Sequence, residues 1–238
     1  MKPASPRPAP LNIAQLTGQS KSHLQAVFPG HFLHRDVVAA YRELVEQAAE
    51  EGIALRLASG FRSFDRQLVI WNAKARGARA VVDSEGEPVV MAALSERDQV
   101  LAILRWSALP GASRHHWGSD MDIWDSAAVS DSYQLQLTSD EYAAGGPFYA
   151  CTRWLDELIS AGKTEFFRPY IQADNGRKTD GVAAEPWHLS FRPLATICEK
   201  ALTPDVLCEL IENTDICLQA AILENLDEIY SRFIRPQY

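Results

Sequence analysis

Apolar and polar residues recur along this chain with two periods, and the switches between them mark out its elements. From His34 to Glu51 the apolar positions Val37, Val38, Tyr41, Leu44, Val45 and Ala48 fall at three- and four-residue intervals, which predicts an amphipathic helix. Gly52 follows, a residue that can close a helix in the left-handed conformation without a side-chain clash. The next segment, IALRLASG, alternates with period two and predicts a half-buried strand ending at Gly60. FDRQLVIWNAKARG has a helical pattern with Gly77 as its stop, and VVDSEGEPVV reads as a short hairpin or loop around Gly86 and Pro88. SERDQVLAILRWSALPG offers Ser95 as a helix cap with Asp98 three residues on, and ends at Pro110-Gly111. MDIW and WHLSF have strand character, and FYACTRWLDELISAGK between them is helical.

After Leu202 the pattern changes. Thr203-Pro204 opens a helix favourably, because threonine caps and proline at the first helical position loses no hydrogen bond. DVLCELIE and ICLQAAILENLDEIYSRFI then predict a two-helix tail, expected to pack against the domain, with a dimer contact as the second reading. Residues 1 to about 12 carry four prolines and read as a loose arm. The expected organisation is an N-terminal arm over 1–25, an α+β domain over 26–195 and a helical extension over 196–238.

With 238 residues, 47% of them hydrophobic and 23% charged, the chain can bury a sizeable core. A formal net charge of -8 argues against a protein held mainly by nucleic-acid phosphates or anionic lipid, while leaving room for a local basic pocket. Nowhere do eighteen apolar residues run together, so no membrane span is expected. The opening MKPASPRPAPLNIAQLTGQS contains no signal-peptide core, which makes the cytoplasm the default address and the cell envelope the alternative. The four cysteines form no CxxC pair and read as free thiols.

Candidate chemistry concentrates in two places. SRHHWGSDMDIWD, Ser113 to Asp125, holds two adjacent histidines and three aspartates, and EPWHLSF places Glu185 three residues before His188. A catalytic zinc takes three protein ligands and leaves a position for water. His115, His116 and His188 are the candidate imidazoles, and spacing alone does not choose between the two neighbours. In an extended or bent segment, Glu185-Pro-Trp-His188 can bring its imidazole to a metal and its carboxylate beside the metal's water. Gly118 would let backbone approach closely there.

Ser113-Arg-His115-His-Trp-Gly118-Ser-Asp120-Met-Asp122 resembles the SxHxxGxAxD signature of zinc D-alanyl-D-alanine carboxypeptidases of the VanX and VanY type. Glu185-Pro-Trp-His188 resembles their ExxH element, and Ser59-Gly-Phe-Arg62-Ser-Phe their SGYRS-like element, in the family's order and across most of residues 30–195. The resemblance implies a hedgehog/D-Ala-D-Ala-peptidase-like α+β fold, a small antiparallel sheet flanked by helices. It also implies Zn2+ held by His115, Asp122 and His188, with Glu185 as the general base. Arg62 would act as a catalytic cation on substrate carbonyl or carboxylate oxygens; Ser113 would lie near the substrate, and Gln67 matches a substrate-binding position loosely. His116 falls at a variable position. Asp120 stands where the signature usually has alanine, either adding charge near the metal or facing away; in an ideal strand it would point the same way as Asp122.

The implied reaction removes the terminal D-alanine of peptidoglycan stem peptides or muropeptides, with D-Ala-D-Ala leading. An L,D-carboxypeptidase or an endopeptidase is the alternative within the class, and a non-hydrolytic zinc-containing peptide-binding module the alternative outside it. Retention of Glu185 favours hydrolysis, since a structural zinc site needs no base. Nucleic acid is not an expected partner, and the chain could act as monomer or dimer. Outside the family context Arg62 reads as a salt-bridged loop residue and Ser113 as a turn residue. Trp187 reads as packing that orients His188, Asp125 as a turn residue or a ligand's neighbour, and His23, His31 and His34 as surface or cap residues.

Overall fold

Asp120–Asp125 is a strand bordered on both sides, and the rest of the domain is arranged around it. The computed structural model describes residues 8–171 and 180–235. A short helix α1 (Ile13–Leu16) leads into a hairpin, β1 (Leu24–Phe28) and β2 (His31–His34), followed by α2 (Val38–Glu50), β3 (Leu55–Ser59), α3 (Phe64–Ala75) and α4 (Glu96–Leu104). Then come β4 (Asp120–Asp125), α5 (Ser139–Tyr142), α6 (Tyr149–Ser160), β5 (Phe166–Phe167), β6 (His188–Phe191) and α7 (Arg192–Ala201). The C-terminal part adds α8 (Pro204–Glu212), α9 (Gln219–Glu224) and α10 (Leu226–Ile229).

Four strands form one sheet in the order β3-β4-β6-β5, with every neighbouring pair antiparallel. Leu57 lies opposite Ile123 on one side of β4, and Asp122 lies opposite His188 on the other. Helices flank this small sheet, so the α+β expectation holds. Met121, Ile123 and Leu189 point into a core completed by Trp71, Ile103, Leu104 and Leu194. Alternate residues of β4 therefore face the core while Asp120 and Asp122 share the other direction, as period two requires.

Local capping follows the residue chemistry. Ser63, Ser95 and Thr203 each accept a backbone N–H of the first helical turn, from Arg66, Asp98 and Val206 respectively. Gly52 and Gly77 take positive φ where α2 and α3 end. Gly118 has φ +70, and a Cβ there would meet the His34 backbone nitrogen at 2.6 Å. That close approach lets the His34 N–H donate to the Gly118 carbonyl at 2.9 Å, which ties β2 to the histidine-bearing turn.

Three readings change. The helix predicted from His34 begins at Val38, because His31–His34 pairs with β1 across a Pro29-Gly30 turn with Gly30 at φ +81. That hairpin buries His23 and His34, read above as surface or cap residues, with ring centroids 5.6 Å apart. Burial and the neighbouring His34 lower the His23 pKa to about 4, so it is neutral at pH 7. The last predicted helix is broken: Leu218 sits at φ +66, and Asn225 separates α9 from α10 while its side-chain amide donates to the Ala221 carbonyl. A single π-helical turn, Tyr230–Ile234, closes the described chain.

The tail packs on the domain. Trp71 Nε1 donates to the Cys217 carbonyl at 3.0 Å, the Cys217 N–H donates to Asn72 Oδ1 at 2.8 Å, and Arg97 pairs with Glu228. Leu207, Ile211, Ile222 and Ile229 are fully buried in the same core as Trp71. At the other end, residues 1–7 of the expected arm lie outside the described residues, whereas Leu11 and Leu16 are buried and Gly18 accepts the Phe64 N–H at 2.9 Å. All four cysteines are free thiols.

Candidate metal centre

Three chain segments converge at the Asp120–Asp122 end of β4. The first is the turn Arg114–Trp117, which Gly118 terminates in the left-handed conformation. His115 Nδ1 lies 2.8 Å from the Gly60 carbonyl; a carbonyl only accepts, so Nδ1 carries the proton and Nε2 presents its lone pair. That Nε2 is 3.4 Å from Asp122 Oδ2. The adjacent His116 is held differently. Its Nδ1 donates to the Arg62 carbonyl at 2.6 Å and its Nε2 accepts the Gly111 N–H at 3.1 Å, so neither nitrogen is available as a ligand. Burial pushes the His116 pKa down to about 3.

The second segment is Glu185-Pro-Trp-His188. The His188 N–H donates to the Glu185 carbonyl at 3.0 Å, closing a turn with proline at its second position, where a fixed φ favours it. This bend, clamped by Arg168 Nε on the Pro186 carbonyl at 2.8 Å, sets both side chains of the ExxH element on one side. Trp187 is buried against Tyr142 and Phe148, as expected of a packing residue. The third segment is β4 itself, which carries Asp120 and Asp122.

His188 lies between carboxylates. Its Nε2 donates to Asp120 Oδ1 at 3.0 Å, and its Nδ1 faces Asp122 Oδ1 at 3.3 Å and Glu185 Oε2 at 3.2 Å. Ligand-capable atoms of His115, Asp122 and His188 all lie within 4.8 Å of one another, and all three residues are buried. His188 Nδ1 and Asp122 Oδ1 have no hydrogen-bond partner although both are buried. Each such group costs about 1–3 kcal/mol if left unsatisfied, and a divalent cation between them satisfies both. Burial opposes a charged imidazolium, but the hydrogen bond to Asp120 and the neighbouring Asp122 and Glu185 carboxylates raise the His188 pKa well above its ordinary value. The pocket therefore favours positive charge. Two imidazoles and one carboxylate, with room beside them, make a donor set suited to a catalytic zinc ion.

Asp120 resolves between the two possibilities left for it: it adds charge close to the ligands, on the far side of His188. Fully buried, it takes Arg114 Nε at 2.7 Å on the same oxygen as His188, and the hydroxyls of Ser119 and of Ser190, the latter at 3.0 Å, on the other. Arg114 also donates to Glu199 at 2.6 Å and to Ser190 at 2.7 Å. A carboxylate bonded to a ligand histidine fixes its tautomer and strengthens it as a donor. Asp120→Asn is accordingly expected to weaken zinc binding about 10–100-fold, measured by competition with a chromophoric chelator; an affinity within twofold of wild type would remove this orienting role.

The cluster opens into a cavity of ≈ 680 Å³ lined by Arg62, Ser113, Tyr170 and Glu185 among others. Arg62 Nη1 donates to Gln67 Oε1 at 3.1 Å, and Gln67 Nε2 donates to the Ala108 carbonyl at 2.7 Å. Gln67 is fully buried with both ends of its amide engaged, so it braces Arg62 rather than facing the cavity as a substrate contact. Tyr170, whose ring lies 5.0 Å from the His188 ring, and Arg114 were not singled out from the sequence. FRPY carries no motif, and Arg114 occupies a variable position of the signature, so only its bonds to Asp120, Ser190 and Glu199 reveal it. Asp125 caps a turn by accepting the Ala54 and Ala127 N–H groups.

Comparison with known proteins identifies the family and the fold. The family model VanY, D-alanyl-D-alanine carboxypeptidase, matches residues 30–194. An uncharacterized protein of Haemophilus influenzae is 31% identical over 126 residues, covering 53% of this chain and 92% of its own. A second from the same organism is 42% identical over 103 residues, covering 42% of this chain and 70% of its own. Among solved structures, VanYB in complex with D-alanine-D-alanine shares the fold, with TM-score 0.50 and 22% identity over 82% of this chain and 92% of that one. The family match runs from β2 to the start of α7 and encloses the Arg62 loop, the His115–Asp122 segment and the Glu185–His188 turn, so this chain belongs to the VanY family of D-alanyl-D-alanine carboxypeptidases.

Proposed function

We propose that this protein is a zinc-dependent carboxypeptidase that removes the terminal D-alanine of peptidoglycan stem peptides ending in D-Ala-D-Ala, with His115, Asp122 and His188 as the metal ligands. The observation that carries this reading is the pair of buried, unpartnered ligand atoms, His188 Nδ1 and Asp122 Oδ1, meeting beside the Glu185 carboxylate at a cavity. Zinc bound there would supply Lewis-acid polarisation of the scissile carbonyl and make a water acidic near neutral pH.

The chain's own groups do the rest. Glu185 keeps a partly exposed carboxylate within 3.2 Å of the ligand nitrogen of His188, so a water at the cluster lies within its reach. It takes the proton of the attacking water and passes it to the leaving amine. Arg62, braced by Gln67, donates from the cavity wall to the oxygen that gains charge. A buried site of this kind works best with the guanidinium already in place, and the Gln67 and Ser59 contacts hold it there.

A panel of zinc-loaded assays tests the substrate. A pentapeptide ending in D-Ala-D-Ala is expected to release D-alanine at least about tenfold faster than a tetrapeptide whose last bond joins an L-residue to D-alanine. The reverse order would make the enzyme an L,D-carboxypeptidase. Cleavage confined to an internal bond would make it an endopeptidase, and no cleavage of any peptide would leave a binding module.

A further inference from the structure

The cavity extends along α3 and there holds a lysine that the chemistry above does not use. Gln67, Trp71 and Lys74 form the buried face of α3, and Lys74 also lines the cavity that contains Glu185 and His188. Only 8% of Lys74 is exposed, and its Nζ donates to Ser107 Oγ at 2.7 Å. The charged groups acting on it most strongly are two cations, Arg79 and Arg62; the one acid, Glu185, already lies beside His188. Burial, then Arg79 and Arg62, push its pKa down to about 8, so the ammonium still predominates at pH 7.

A buried ammonium with a hydroxyl as its partner and cations for neighbours is costly unless an anion reaches it. A lysine kept only for packing would be matched by a carboxylate of the chain, as Arg114 is by Asp120 and Glu199. Here no carboxylate among the described residues bonds Lys74, and its open side is the cavity, where a ligand can supply the charge. We propose that Lys74, with Ser107 beside it, forms a second anion subsite of the cleft, which receives a side-chain carboxylate of the peptide substrate.

Its spacing specifies the substrate further. Lys74 is seven residues beyond Gln67, about 10 Å along the helix axis. Lys74 and the Gln67 that braces Arg62 are bonded to adjacent residues, Ser107 and Ala108, so the carboxylate is carried by a residue distinct from the one held at Arg62, and the substrate is an acidic peptide rather than a bare dipeptide. This inference rests on the peptidase reading, and its test separates the two.

Peptides ending in D-Ala-D-Ala, with glutamate or glutamine placed two, three or four residues before the scissile bond, are compared in kcat/KM. At one of these positions the glutamate peptide should be favoured about tenfold or more, mainly through KM. Lys74→Met brings the glutamate peptide down to the level of the glutamine peptide, whereas Lys74→Arg keeps most of the preference; melting curves establish that both variants are folded. Affinities of the same peptides for the Glu185→Gln variant repeat the comparison without turnover. Equal preference in wild type and Lys74→Met, or an equal loss on both peptides, overturns the subsite even if D-alanine is released. A loss in Lys74→Met seen only between C-terminal acids and amides also overturns it, because the ammonium would then read the terminal carboxylate. A Lys74-dependent preference in binding with no cleavage of any peptide leaves the subsite standing and removes the hydrolytic reading instead.

Discussion

Glu185→Gln is expected to slow D-alanine release by about two to four orders of magnitude, the usual contribution of a positioned general acid–base, while zinc stays bound at one ion per chain. The substitution preserves shape and the main-chain turn, because the His188 N–H bonds to the Glu185 carbonyl and not to its side chain. It also leaves the ligand atoms of His115, Asp122 and His188 untouched. What disappears is, among the described residues, the one carboxylate beside His188 that is not already committed. Asp122 is one of the proposed ligands, and Asp120 is bonded to Arg114, His188, Ser119 and Ser190. Metal content by mass spectrometry and turnover by D-alanine detection read the two effects separately. Turnover within tenfold of wild type would take Glu185 out of the mechanism, and loss of the ion along with activity would recast it as a ligand.

Stripping the metal is the second large effect. Thorough chelation should reduce D-alanine release to background, with recovery on adding one equivalent of zinc. Folding should respond too, because the ion binds only the assembled site. At free zinc about 1,000 times its dissociation constant, mass action adds about 4 kcal/mol, which for a chain of this size corresponds to a melting temperature roughly 8–16 °C higher. The physical source of that gain is visible in the structure: two buried ligand atoms without partners, and three carboxylates crowding one imidazole. His188→Ala should abolish the zinc-dependent rise. Undiminished release after complete metal removal, or a melting temperature indifferent to zinc, would refute the metallopeptidase reading.

Much of the site was legible because its information is local or periodic. Ser95 and Thr203 cap helices as their residue types direct. The spacing of Glu185 and His188 works because Pro186 bends the chain between them, and period two along β4 puts Asp120 and Asp122 on one side. The β1–β2 hairpin was missed although Pro29-Gly30 marks its turn, because its short strands carry no clean alternation and part of it continues the helical pattern into α2. Gln67 was placed at the substrate on family resemblance, and only the bonds to Arg62 and Ala108 show that its amide is already used.

Residue types and their spacing determined the helix caps, the strand directions, the acidic and imidazole donors and the family they belong to. Which nitrogen of which histidine faces the ion was decided elsewhere in the fold. The Gly60 carbonyl takes the proton of His115, the Arg62 carbonyl and Gly111 N–H occupy both nitrogens of His116, and Asp120 takes the proton of His188. A neutral imidazole has one proton and one lone pair, and partners as far as 55 and 68 residues away in the chain settle how His115 and His188 divide them. No local pattern carries that information, because it exists only once the sheet has brought those segments together.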